Sequence, residues 1–338
     1  MRGFGGGWQR DWRPPAKPTK FACVPRALFT LLLLLPAGCS PSPDRSVVAG
    51  RDTVLVFGAA SLAGPMRAAL DSFARVTGAT VTEEHGASLE LARRITELHR
   101  IPDAIVLADQ EVFPELLIPG VTSWYAAFAR NRMVVAYTDH SRRASEMSAA
   151  TWRQVVLESD VLLGRTDPVL APAGYRALLV YRLAERYHRE PGLAARLEAK
   201  TPARLLRGNA AELAALLSAG ELDYIIEYES LARAQGFRFI PLPPEIDLGD
   251  PAQASTYAQA TVRVGNGRDT VTRRGAPILY GISVPRHAPH ADAGVRFVRF
   301  LLGDAGRAIL RRANVDALQH PQIVGDSVPS ALMSHGVP

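Results

Sequence analysis

Cysteine is nearly absent. Of 338 residues only Cys23 and Cys39 are cysteines, so the chain beyond them can form neither a disulfide framework nor a thiolate metal site. Lysine is scarce as well, confined to Lys17, Lys20 and Lys200. The most apolar stretch, residues 27–35, falls far short of the ~20 residues that a membrane-spanning helix needs. An excess of charge also disappears once it is located. The net charge is +6, yet residues 1–38 carry six basic side chains against the single Asp11. The body is therefore almost neutral, without the electrostatic footprint of a nucleic-acid binder.

The N-terminus has a basic stretch, then residues 27–35, then Pro36-Ala37-Gly38-Cys39. This order reads as a secretory signal peptide over residues 1–38, to be set aside from the fold. The small residues before Cys39 resemble a bacterial lipobox, with Pro36 where leucine is usual. Cys39 is then the expected lipidation site, and residues 39–50 are a short proline-rich tether. The plainer alternative is an ordinary signal peptide followed by an incidental cysteine.

The body, at this length, allows about two domains. Residues 53–57 are a β-rich apolar run ending at Gly58. Pro65 suits the first turn of a helix that presents Met66, Leu70 and Phe73 on one face and stops at Gly78. A strand at 80–84, a helix at 89–98 and the buried-strand run 104–107 complete a β-α-β-α-β unit, the start of a mainly parallel sheet. The pattern recurs with a strand near 161–163, a helix over 174–187, another at 212–217 ending at Gly220, and a strand at 224–226. Residues 278–284 read as a strand before a helix carrying Val295, Val298, Leu301 and Leu302 on one face. Gly265-Asn266-Gly267 between two β-rich runs signals a hairpin. Two α/β lobes follow from this order.

Ligands of open α/β sheets sit beyond the carboxyl ends of the strands. Gly58-Ala59-Ala60-Ser61 follows the first strand and His85-Gly86-Ala87-Ser88 the second. Small side chains let a ligand approach the backbone, and free amides at a helix start favour an anion. Neither loop has the lysine of a nucleotide-binding loop. Each serine could merely cap its helix, but two equivalent loops on neighbouring strands point to a shared anion site. His287 and His290, flanked by Pro285 and Pro289, form at best a weak metal pair. No Ser-His-Asp group or paired acid–base carboxylates stand out, so the expectation is a binding protein and not an enzyme.

The segments 57–62 (Phe-Gly-Ala-Ala-Ser-Leu), 86–93, 103–109 and 128–138 resemble motifs of periplasmic molybdate/tungstate-binding proteins of ABC importers. So do Asp167-Pro168 with 172–176, and residues 220–228 and 280–285. The order and spacing are closest to the archaeal-type tungstate/molybdate branch. The resemblance implies a type II periplasmic-binding-protein fold with two α/β lobes and two crossovers. Lobe 1 would take residues 51–135 and 280–330, and lobe 2 residues 136–279. It implies a molybdate or tungstate ligand, no cofactor, and a permease and cytoplasmic ATPase as partners; the leader and the lipobox-like residues before Cys39 add the expectation of a lipid anchor outside the inner membrane. Carried over by motif, Ser61 and Ser88 donate from one lobe, and the amides of Ala173 and Ala210 from the other. Glu227 matches one of two carboxylates that bind the metal itself; the other position is Ala171, so one ligand is missing. Glu227 could instead be a strand-end carboxylate paired with an arginine, and the Tyr228 hydroxyl either a donor or core packing. Another oxyanion such as sulfate or phosphate is the nearest alternative ligand, and an extracytoplasmic hydrolase the alternative class.

Overall fold

The structure, a computed structural model, describes residues 53–265 and 270–333. The leader, the tether and Cys39 lie outside the described residues, as do Asn266 and Gly267 of the expected hairpin turn.

The chain opens with the expected β-α-β-α-β run. β1 (Thr53–Ala59) passes through a single 3-10 turn (Ala60–Leu62) into α1 (Ala63–Thr77). α1 buries Met66, Leu70 and Phe73 and ends at Gly78, whose φ of 73° is the left-handed geometry that glycine adopts without strain. β2 (Thr80–Gly86), α2 (Ser88–Thr96) and β3 (Ala104–Leu107) follow, and β1 pairs in parallel with both β2 and β3. Next come β4 (Trp124–Arg130) and β5 (Met133–Tyr137), separated only by Asn131 and Arg132.

The middle of the chain supplies α3 (Trp152–Leu157), β6 (Leu163–Thr166), α4 (Pro172–His188), α5 (Leu193–Lys200), β7 (Leu206–Arg207) and α6 (Ala210–Ser218). β8 (Tyr224–Tyr228), α7 (Glu229–Ala234) and β9 (Arg238–Pro241) come after it. After α8 (Ala254–Tyr257), β10 (Thr261–Val264) and β11 (Val271–Arg274) form the expected antiparallel hairpin. β12 (Leu279–Ser283), α9 (Ala291–Leu302), α10 (Asp304–Arg312) and β13 (Asp316–Gly325) return to the first half. There Phe73 of α1 meets Phe297 and Phe300 of α9 edge-on, with ring centroids 5.6 and 5.7 Å apart.

Two larger sheets result, ordered β13-β4-β12-β3-β1-β2 and β7-β6-β8-β5-β9. Each is mixed, where the element order suggests mainly parallel sheets. A parallel neighbour needs a long crossover, usually a helix. The chain instead steps from β4 to β5 in two residues, and β5, β12 and β13 pair antiparallel with their neighbours. The step at Asn131-Arg132 comes ahead of the 135/136 boundary read from the sequence. Val134 and Ala136 already pack with Leu213, Leu217 and Ile225 of the second half.

Candidate ligand-binding site

The carboxyl ends of β1, β2 and β3 meet those of β6 and β8 at a small cavity. Ala59, Ala60, Ser61, Gly86, Ala87, Ser88 and Ala108 line it from one half; Thr166, Ala171, Pro172, Ala173, Asn209, Ala210 and Tyr228 line it from the other. Ser61, Ser88, Ala173, Ala210 and Tyr228 are thus brought together, although they span 167 positions of sequence. No charged side chain lies on this wall.

Three helix starts explain what the wall offers. α2 starts at Ser88, α4 at Pro172 and α6 at Ala210. First-turn amides have no intrahelical acceptor, and the positive end of the helix dipole adds to their pull on an anion. Pro172 has no N–H, so Ala173 carries the first amide of α4. Asn209 caps α6, its Oδ1 accepting from the amides of Ala211 (3.0 Å) and Glu212 (3.1 Å).

Neither serine is a side-chain cap. Ala87 holds the cap position of α2 and Leu62 that of α1, while Ser61 sits in the 3-10 turn. The buried Ser88 Oγ instead accepts the Ala108 amide at 3.0 Å. A hydroxyl has a single proton and two acceptor sites, so Ser88 keeps its proton for another partner. Ser61, half-buried on the same wall, has no side-chain partner among the described residues.

Behind the wall lies a buried arginine that sequence reasoning did not single out. Arg176 Nη1 donates to the Ala108 carbonyl (2.7 Å) and the Tyr228 hydroxyl (2.6 Å), and Nη2 pairs with Asp109 Oδ1 at 2.8 Å. Asp109 is itself buried, and its Oδ1 also takes the Glu111 amide at 3.1 Å. Burial opposes the charge on Arg176, but Asp109 and Tyr228 outweigh it and hold the guanidinium protonated. Because Arg176 belongs to α4 and its partners Ala108 and Asp109 follow β3, the ion pair joins the two halves. A second link runs from the Leu89 amide to the Leu170 carbonyl at 3.2 Å, and a third pairs Arg273 of β11 with Glu115. The one sequence signal for Arg176 is that it interrupts an otherwise apolar stretch from Pro172 to Tyr181.

Tyr228 turns toward the cavity, and burial together with neighbouring acidic groups raises its phenol well above the usual range. Its proton finds only the Ala108 carbonyl at 3.5 Å, a weak bond that leaves it available to a ligand. Glu227 is not among the residues that line the cavity. Successive strand residues point to opposite faces, and Glu227 shares the face of Ile225. It is 0% exposed, with Oε1 accepting the Tyr228 amide at 2.9 Å and Oε2 without a partner. No arginine forms an ion pair with it among the described residues. Burial drives its carboxyl up to about 8, against the opposing pull of that amide and of Arg176, so it is largely protonated at neutral pH. Ala171 presents only a methyl to the cavity, and its amide is spent on the Asp167 carbonyl at 2.9 Å.

The histidines stay apart from the site. His290 engages Asp103 through its amide (2.6 Å) and ring (3.2 Å). His85 is held between the Gly58 carbonyl (3.2 Å) and Glu83 (3.0 Å) and does not pair with either serine. Among the described residues no group of three His, Cys, Asp or Glu could hold a metal ion, and no helix is long and apolar enough to cross a membrane.

Two α/β halves closing on a cavity of amides and hydroxyls define a solute-binding protein. Comparison with known proteins gives the same class. The family described as bacterial extracellular solute-binding protein matches residues 54–313, and the chain belongs to that family. An uncharacterized solute-binding protein of Petrotoga mobilis is 35% identical over 272 residues, covering 80% of this chain and 85% of the relative. The molybdate/tungstate-binding protein WtpA of Thermococcus kodakarensis is 30% identical over 331 residues, covering 88% of this chain and 93% of the relative. Among solved structures, the periplasmic molybdate-binding protein of Azotobacter vinelandii superposes with a TM-score of 0.57 at 16% identity. The match covers 79% of this chain and 100% of that one, and the fold is the type II periplasmic-binding-protein fold.

Proposed function

We propose that this protein captures molybdate or tungstate between its two halves and delivers it to an ABC permease driven by a cytoplasmic ATPase. Residues 51–135 with 280–330, and residues 136–279, act as the two lobes, adjusted at the first crossing to Asn131-Arg132. Lipid on Cys39 tethers the protein at the membrane surface, with residues 39–50 as the spacer.

The observation that carries the reading is a cavity wall rich in hydrogen-bond donors and free of charged side chains. Ser61, Ser88, Tyr228 and the amides of Ser88, Ala173 and Ala210 all offer protons. The carbonyl of Ala108 is engaged by Arg176. Such a wall suits an oxyanion. Relatives that share about three in ten residues include proteins described as molybdate/tungstate-binding, which favours those oxyanions over sulfate.

Glu227 as a ligand to the metal would have to be ionised and turned into the cavity, and its burial opposes both. With Ala171 offering no carboxylate, the assigned state is a tetrahedral oxyanion held by neutral donors, with Glu227 protonated behind the wall.

Calorimetry with molybdate, tungstate, sulfate and phosphate tests the ligand. Molybdate and tungstate are expected to bind at least about tenfold tighter than the other two, a difference of about 1.4 kcal/mol. Tightest binding of sulfate would transfer the function to that ion. X-ray absorption on the tungstate complex should report four oxygen neighbours; six would return Glu227 to the metal. An acylated N-terminal peptide beginning at Cys39 in membrane fractions tests the anchor, and an unmodified mature chain starting elsewhere would remove it.

A further inference from the structure

We propose that the Thr166 hydroxyl is a direct donor to the bound oxyanion, supplied by the second half on the wall where Ala171 presents only a methyl. The inference rests on the oxyanion reading of the cavity and adds a contact that neither the serine loops nor the helix starts contain.

Thr166 is the last residue of β6, is 0% exposed and lines the cavity, yet its Oγ1 has no hydrogen-bond partner. A buried hydroxyl without a partner is a net cost to the folded state and calls for an explanation. Other buried side-chain atoms share that condition, among them Trp152 Nε1, Tyr181 Oη and Arg273 Nε. None of those residues lines this cavity.

The surrounding loop is otherwise satisfied. The Thr166 carbonyl accepts from Arg165 at 3.2 Å, and the Asp167 amide donates to the Arg207 carbonyl at 2.8 Å. Asp167 Oδ1 takes the Val169 amide at 2.8 Å. The loop also has little freedom to turn the hydroxyl elsewhere. It packs so closely on α4 that a Cβ at Gly174 would lie 2.5 Å from the Thr166 carbonyl oxygen and 2.6 Å from the Pro168 nitrogen. What remains is one hydroxyl proton with no acceptor in the protein, at the surface where an acceptor-only ligand arrives. A hydroxyl at this point binds oxygen without entering the coordination sphere of the metal, which fits a site lacking a carboxylate at position 171.

Thr166→Val keeps the shape and the β-branch and removes the hydroxyl; Thr166→Ser keeps the hydroxyl and removes the methyl. Affinity for molybdate and tungstate is read by calorimetry, and stability by thermal melting of the ligand-free protein. Val should weaken binding about tenfold or more, and Ser should stay within about threefold of wild type. The ligand-free Val variant should melt at or above the wild-type temperature, because a methyl replaces an unpaired buried polar group. A merely structural hydroxyl would reverse this, with unchanged affinity and a lower melting temperature, and would overturn the proposal. Wild-type affinity in the Val variant alone removes Thr166 and leaves the oxyanion reading intact. Failure of the wild type to bind any of the four oxyanions removes both.

Discussion

Ser61 and Ser88 look equivalent in sequence, but the structure gives them different work. Ser88 Oγ satisfies the buried Ala108 amide, so Ser88→Ala should harm both stability and binding. An orphaned buried amide costs about 1–3 kcal/mol, and a lost bond to a charged ligand weakens affinity roughly tenfold to a hundredfold. Ser61→Ala removes a hydroxyl without a protein partner and should lower affinity while moving stability by less than about 0.5 kcal/mol. Denaturant unfolding and calorimetry on both variants separate these outcomes, and equal stability losses would contradict the assignment. Glu227 gives a second test at this scale. Its carboxyl is raised from 4.5 to about 8, so between those values the folded state holds a proton that the unfolded state has released. Stability is therefore full below about 4.5 and falls as pH rises toward 8, by roughly 1.4 kcal/mol per unit where the difference is complete. Glu227→Gln mimics the protonated acid and should flatten the melting temperature across pH 5–8. An unchanged slope would mean that Glu227 is ionised in the fold.

Among the elements, α4 does the most to hold the site. It contributes the Ala173 amide at its start and Arg176 one turn later, so ligand wall and lobe-spanning ion pair are fixed on one rigid body. Removing one partner of a buried pair leaves an uncompensated charge, at about 3–5 kcal/mol. Arg176→Met should therefore destabilise the protein by that amount and weaken oxyanion binding. Adding Asp109→Asn should recover part of the stability in denaturant unfolding. A loss below about 1 kcal/mol in the single variant would show that the halves do not depend on this pair. Helices α1 and α6 were legible in the sequence because each had a stop signal, Gly78 after α1 and Gly220 after α6, whereas α4 opens at Pro172, two residues ahead of the start at 174 that the sequence suggests. The serine loops were legible for a similar reason, since small residues after an apolar run are a local pattern. Residues 128–138 were matched as one motif of the resemblance, and the break between β4 and β5 inside it, at Asn131-Arg132, was not read. β7, with two residues, and β13, on a sheet edge, carry too little periodicity to be read. Thr166 and Arg176 were hidden for another reason: their roles depend on which strand ends face each other across the halves, and no local spacing encodes that.

For the molecule as a whole, the two-lobed plan could be read from the recurrence of strand and helix, whereas the strand directions could not. Antiparallel pairing is decided by the short step at Asn131-Arg132 and by the late return of β12 and β13. The same plan confines charge to particular places. Arg176 and Asp109 neutralise one another where both are buried, and the cavity wall has no ionic side chain at all. Salt weakens attraction between exposed charges, because their fields are screened within about 10 Å at 0.1 M. A wall of oriented amides and hydroxyls works at contact range, out of reach of that screening, and a nearly neutral body has little long-range field to lose. An extracellular protein meets whatever medium surrounds the cell. Held this way, its ligand should stay bound with almost the same grip in dilute water as in brine.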